Sequence, residues 1–232
     1  MKLNEKYVNK IATNDIHPKF GGNISGTKLI HISDDSRGKL YENITRIDFN
    51  AMYPCILVGL FNDGLIGEEW KDDIERVQWF LKNRADLKRL SIGLCGEEAV
   101  RVAGEYQKWK THCNSLYAKI KSPYVIEYVD MFYTDLIQKY GDLIIYNDVD
   151  TLYLNIDKIS FQSKEWVSEL RDFSYDVQFI NYFYAEDIYS FIEQEESGHV
   201  NTYGFKDEQD KMQILNLVKR EIRRRKLEKI GI

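Results

Sequence analysis

Proline is scarce in this chain of 232 residues, at 3 copies, and glycine is modest at 14. That scarcity excludes a collagen-like, linker-rich or proline-rich extended architecture, and no internal repeat is apparent. Cysteine is as rare: Cys55, Cys95 and Cys113 are odd in number and share no ligand spacing with His17, His31, His112 and His199. Neither a disulfide framework nor a zinc site is expected, and a reducing cytoplasm is the compartment these thiols suit. Long hydrophobic runs are missing too. The longest apolar stretch, roughly Ala51 to Phe61, contains Pro54 and is too short to span a bilayer, so no membrane partner is expected. The opening Met1-Lys2-Leu3-Asn4-Glu5-Lys6 is charged and lacks an apolar core, which argues against a secretory signal. An excess of positive charge is also absent: the net charge of −5 argues, taken alone, against a nucleic-acid binder.

What is present is enough apolar material for a core, 44% hydrophobic and 13% aromatic, in one domain or a domain with one substantial insertion. The positive charge is uneven. Lys219-Arg220-Glu221-Ile222-Arg223-Arg224-Arg225-Lys226 reads as a basic helix, and a second basic cluster runs from Lys82-Asn83-Arg84 to Lys88-Arg89. Acidic residues gathered for metal binding lower the total without precluding phosphate contacts elsewhere.

Residues 1–28 read as irregular, with a turn at Phe20-Gly21-Gly22. Lys28 to Ile32 and Asn43 to Phe49 have the β-branched content and alternation of strands. Asp72 to Leu90 and then Gly96 to about Lys119 read as two helices joined by a Gly-Leu-Cys-Gly turn, a helical hairpin inserted between strands. Tyr124 to Tyr140 is a third helix, stopped at Gly141. Leu143 to Tyr146 and Thr151 to Ile156 read as a β-hairpin with acidic residues at its tip, followed by aromatic-rich segments from Phe173 to Phe191 and a terminal helix from about Lys206. This order predicts an α+β fold, an antiparallel sheet backed by helices.

Three stretches carry chemistry. In Ile44-Thr45-Arg46-Ile47-Asp48-Phe49-Asn50-Ala51-Met52-Tyr53-Pro54 a strand ends in Asp48, and a carboxylate held there suits a hard divalent cation; a helix-capping or turn aspartate is the plain alternative. In Tyr146-Asn147-Asp148-Val149-Asp150-Thr151, two aspartates flank one residue within apolar strands. They repel unless a cation, proton or base compensates, although an exposed turn also favours Asn and Asp. In Lys110-Thr111-His112-Cys113-Asn114-Ser115-Leu116-Tyr117, positions 110, 114 and 117 share one helix face. There a cation, an amide and a ring could hold a triphosphate, a ribose edge and a base, or form an ordinary solvated face.

These segments, in this order, resemble the polymerase motifs of B-family DNA polymerases. Asp48 to Pro54 resembles Asp-x-x-Ser-Leu-Tyr-Pro, Lys110 to Tyr117 matches Lys-x-x-x-Asn-Ser-x-Tyr in full, and Tyr146 to Asp150 resembles Tyr-x-Asp-Thr-Asp. Phe20-Gly21-Gly22 is similar to the Tyr-x-Gly-Gly element that precedes the polymerase domain, and Arg84 with Lys88 looks like the Arg-x-x-x-Lys pair of the first fingers helix. The likeness spans about Phe20 to Ile156. It implies a palm of antiparallel sheet with inserted helical fingers: residues 1–66 as N-terminal segment and first palm part, 67–121 as fingers, 122–190 as palm with the catalytic hairpin, and 191–232 as a reduced thumb with a basic helix.

The resemblance also assigns roles. Asp48 and Asp150 would ligate two Mg²⁺ (or substituting Mn²⁺) with the Phe49 carbonyl, and Asp148 would stand beside them. Lys110, Arg84 and Lys88 would bind the dNTP triphosphate, Tyr53 would sit under the deoxyribose, and Asn114 and Tyr117 would line the nascent base pair. Gly21, Gly22, Tyr203 of a faint Lys-x-Tyr echo, and Lys219, Arg220, Arg223 and Arg224 would contact primer-template DNA. Ala51 stands where the family has Ser, Ala118 where it has Gly, and Val149-Asp150-Thr151 where it has Thr-Asp-Ser. No 3′–5′ exonuclease is expected from so short a chain. Two variants of the reading share the active site: a catalytic subunit that needs further polymerase or replication subunits, and a template-independent or primer-making transferase.

Overall fold

The computed structural model describes residues 3–13, 30–32, 36–93, 95–120, 123–148, 150–161, 170, 173–187 and 189–231, with the side chains of residues 30–32, 91–93, 114, 117–119 and 148 outside that description. The chain divides into two compact units: Met1–Gly26, Ala51–Phe132 and Asp172–Ser174 form the first, and Thr27–Asn50, Tyr133–Arg171 and Tyr175–Ile232 the second.

The first unit is helical. It contains α1 (Glu5–Thr13), α2 (Met52–Asn62), α3 (Lys71–Gly93), α4 (Gly96–Ile120) and the first part of α5 (Pro123–Tyr140). Helix α2 buries Met52, Pro54 and every residue from Ile56 to Leu60, so it is the hydrophobic axis of this unit. Its Gly59 admits the closest approach: a Cβ there would fall 2.4 Å from the Leu3 side chain. Helices α3 and α4 form the expected hairpin, with Phe80 against Tyr106 and Trp79 against Trp109 at ring separations of 6.0 and 4.8 Å.

The turn into α2 is strained. Ala51 adopts left-handed backbone (φ 53°, ψ 44°) and offers no side-chain cap. Such a conformation costs an L-residue roughly 1–2 kcal/mol that glycine avoids, partly offset by the greater unfolded-state entropy of glycine. Ala51→Gly is therefore expected to raise stability by up to about 1 kcal/mol in a urea melt.

The second unit is built on a seven-stranded sheet, β1 (Ile30–Ile32), β2 (Leu40–Phe49), β3 (Ile144–Asp148), β4 (Thr151–Leu154), β5 (Tyr175–Ala185), β6 (Phe191–Glu195) and β7 (Val200–Tyr203), in the order β1-β3-β4-β2-β5-β6-β7. Every pairing between these seven strands is antiparallel. The α+β class with an antiparallel sheet is thus observed. The sheet also runs through the aromatic-rich stretch and past residue 190, into the part assigned from the sequence to a thumb. One core cluster packs Tyr146, Tyr153, Phe183 and Phe191 with Ile44 and Ile180.

The short helix α6 (Lys158–Phe161) follows β4, and the terminal helix α7 (Glu208–Lys229) starts at Asp207, whose side chain accepts the Asp210 N–H at 2.8 Å. Helix α7 lies on the sheet, its Val218 packed with Leu40, Tyr184 and Ile192 and flanked by Ile214, Leu215 and Ile222. Arg225 and Lys229 fasten it to Glu42 of β2. Contact with Lys229, against some burial, and then with Arg225 holds the Glu42 carboxyl below its usual range. Glu42 is 15% exposed but Lys229 is 65% exposed, so Glu42→Gln should cost about 1 kcal/mol in a urea melt. The loss should fade in acid, as Glu42 itself becomes protonated, since a depressed carboxylate stabilises only above its unfolded pKa.

Candidate active site

Positions 46 and 48, two apart on β2, place Arg46 and Asp48 on one face of the sheet. Asp48 stands opposite Thr151 on one side and Asp176 on the other. Asp148 is in register with that same Thr151. At the strand end the Phe49 N–H donates to the Asp150 carbonyl at 2.7 Å, which ties the close of β2 to the β3–β4 turn. Residues 48 and 150, about a hundred positions apart in sequence, therefore meet at one end of adjacent strands. Asp150 is exposed, and the Asp48 side chain is 30% exposed.

Asp48 is held by two donors. The Thr151 hydroxyl donates to Oδ1 at 2.9 Å, and Arg46 Nη2 lies 3.1 Å from Oδ1 and 3.1 Å from Oδ2. The other guanidinium nitrogen, Nη1, donates to Oε1 of Glu193 at 2.8 Å. Glu193 is fully buried, and it also accepts from the Tyr153 hydroxyl at 2.9 Å, the Tyr203 hydroxyl at 3.1 Å and Asn201 Nδ2 at 3.2 Å. Burial works against the Arg46 charge, but Tyr153, Glu193 and Asp48 outweigh it and raise the guanidinium pKa. Burial, and then the Glu193 charge, push the Tyr153 phenol well above its usual value.

This network escapes a sequence reading. The period-two spacing of Arg46 and Asp48 is the only local signal; Glu193, 147 residues from Arg46, and Asp176 reach the site through strand pairing alone.

The residues expected to bind nucleotide belong to the first unit. Tyr53 lies half-buried in the first turn of α2, and Lys88 and Lys110 are exposed on α3 and α4. Arg84 is half-buried and donates Nε–H to the Tyr106 hydroxyl at 3.2 Å. Burial pushes the Cys113 thiol up to about 11 and raises that of Cys55, each against the pull of the Arg84 charge. Arg84 thus sits where α2, α3 and α4 adjoin. The side chains of Asn114 and Tyr117, like Phe20, Gly21 and Gly22, lie outside the described residues.

The DNA candidates of the second unit are placed as follows. Tyr203 is on β7, its ring stacked on Phe191 at 4.5 Å and its hydroxyl on Glu193. On α7, Lys219, Arg220 and Arg223 are exposed, whereas Arg224 is paired with Glu221 and Glu228. Arg224 and Arg225 hold the Glu221 carboxyl down at about 2. A groove of about 930 Å³ runs under α7, lined by Lys39, Tyr184, Asn216 and Arg220 among others. Helix α7 packs on Ile192, the strand neighbour of Glu193, and so covers the sheet face opposite to Arg46 and Asp48.

Among the described residues no cluster of three or more His, Cys, Asp or Glu side chains is assembled to hold a metal; the Asp148 side chain lies outside that set. No helix among them is long and apolar enough to cross a membrane. No protein-family model and no curated protein sequence matches the chain.

Proposed function

We propose that the chain is a DNA-directed DNA polymerase that adds deoxynucleotides to a primer 3′-hydroxyl on a template, the sheet acting as palm and the α3–α4 hairpin as fingers. The observation that carries this reading is the junction at the end of β2, where the backbone bond from Phe49 to Asp150 draws a strand-end aspartate and a turn aspartate together. The donor set there is hard oxygen, which fits Mg²⁺ or Mn²⁺ and not a soft metal. Asp48, Asp150 and the Phe49 carbonyl would hold two such ions, which when bound lower the pKa of the attacking hydroxyl and neutralise the departing pyrophosphate.

The remaining roles belong to the chain's own side chains. Lys110, Lys88 and Arg84 neutralise the triphosphate, and the fixed Arg84–Tyr106 contact limits how far that guanidinium reorganises as charge grows. Tyr53, in the first turn of α2, sits under the deoxyribose, and Asn114 and Tyr117 flank the base pair. Lys219, Arg220 and Arg223 contact DNA phosphates away from the reacting end, since α7 is anchored at Glu42, about 20 Å along β2 from Asp48 by strand rise.

The test is extension of a labelled primer-template by the purified chain with Mg²⁺ and dNTPs. Absence of incorporation by the wild type, or incorporation that survives Asp48→Ala or Asp150→Ala, removes the reading. Omitting the template separates templated from untemplated transfer.

A further inference from the structure

We propose that Arg46 and Thr151 are positioning residues that occupy Oδ1 of Asp48 and leave Oδ2 for a divalent cation. The inference deepens the polymerase reading and rests on it for the identity of the reaction, though not for the binding of the ion.

The case is a count. An ionised carboxylate offers about four lone-pair sites, two on each oxygen. On Asp48, Oδ1 receives both the Thr151 hydroxyl and Arg46 Nη2 and is filled, whereas among the described residues Oδ2 accepts no hydrogen bond and has Arg46 Nη2 only as an ion-pair neighbour at 3.1 Å. Oδ2 is the oxygen that remains. Glu193, the other carboxylate on Arg46, meets four donors, with Arg46, Tyr203 and Asn201 on Oε1 and Tyr153 on Oε2. Glu193 is also fully buried while Asp48 is partly exposed, so the two acids at the ends of one guanidinium have different tasks. The buried one is an anchor. The partly exposed one is aimed, because the planar guanidinium fork transmits the fixed position of Glu193 to the Asp48 carboxyl plane.

A further consequence follows from the register. Asp176 stands directly across from Asp48 on β5, and like charges so paired repel. The Arg46 charge screens that repulsion and holds the carboxylate in place.

The experiment uses the full chain and Mn²⁺ as the probe, with free Mn²⁺ followed by electron paramagnetic resonance. Asp48→Asn should abolish the Asp48-dependent binding. Arg46→Lys keeps the charge but loses the fork, and should weaken Mn²⁺ binding about 10–100-fold, in the range typical of groups that orient metal ligands. Thr151→Val removes one hydroxyl at constant shape and should weaken it about 10-fold, while Thr151→Ser restores it to within about threefold. If Arg46→Lys does not fold, Thr151→Val carries the test.

Wild-type-like Mn²⁺ affinity in both Arg46→Lys and Thr151→Val overturns the inference, as does a wild type with no Asp48-dependent binding. Primer extension run in parallel separates the two readings. Weakened binding in the variants of a chain that never extends a primer upholds the positioning role and removes the polymerase, whereas extension unaffected by either substitution removes the positioning role alone.

Discussion

Arg46→Met is expected to lower stability by about 3–5 kcal/mol, measured as a reduced urea midpoint at neutral pH, because it strands a fully buried carboxylate. Glu193 has one cationic partner among its four donors, and the others are two phenols and an amide that cannot neutralise it. The loss would be a large share of the roughly 5–15 kcal/mol that stabilises an ordinary domain. The partner substitution fixes the cause. Arg46→Met combined with Glu193→Gln removes both charges yet leaves an acceptor for the Tyr153 hydroxyl, so the double variant should recover most of the lost stability. A double variant as unstable as Arg46→Met would instead place the damage in the lost contact of the guanidinium with the Tyr153 ring, whose centroid is 5.9 Å from the guanidinium carbon. In either outcome the lost Arg46–Asp48 contact adds little to the stability change, since the Asp48 carboxyl keeps contact with solvent.

The contrast between these two acids marks what could be read from the sequence. The helices of the hairpin were legible because their apolar positions recur at helical spacing: Ile74, Val77 and Phe80 are all buried on α3. The β3–β4 hairpin and the end of β2 were legible because short apolar strands bracket polar tips. Helix α2 was not, since its residues are buried on nearly every side and a continuous apolar run carrying Pro54 shows no period. Pro54 falls in the first turn, where a missing N–H costs nothing. Strand β5 was hidden in another way: its polar and aromatic residues mix, and its inner half becomes apolar only when β2 and β6 cover it. Helix α1 lies within the stretch expected to be irregular, and its buried Tyr7 and Ile11, four apart, were the only cue. The aspartates of the site could be named because Asp48 stands at the end of a strand and Asp148 and Asp150 at the tip of a hairpin. Their alignment by Arg46, Thr151 and Glu193 could not, because strand order is a tertiary property and nothing local pairs residue 46 with residue 193.

That alignment sets the expectation for the two aspartates themselves. Asp48→Asn should reduce single-turnover incorporation of one nucleotide on the order of 10³-fold, equivalent to about 4 kcal/mol of transition-state stabilisation, with the nucleotide KM changed less than about threefold. Asparagine is the informative substitution: it keeps the shape and an oxygen for the Thr151 hydroxyl, and Arg46 retains Glu193, so the urea midpoint should hold within about 1 kcal/mol. Asp150→Asn should cause a comparable loss. The decisive measurement is the double variant. Two ligands of one shared site are not independent, and once either is gone the remaining one holds little worth losing. The double variant should therefore be no more than about tenfold slower than the worse single. Losses that multiply toward 10⁶-fold would mean that residues 48 and 150 act on separate events, and the meeting of β2 with the β3–β4 turn would then be a feature of the fold without catalytic consequence.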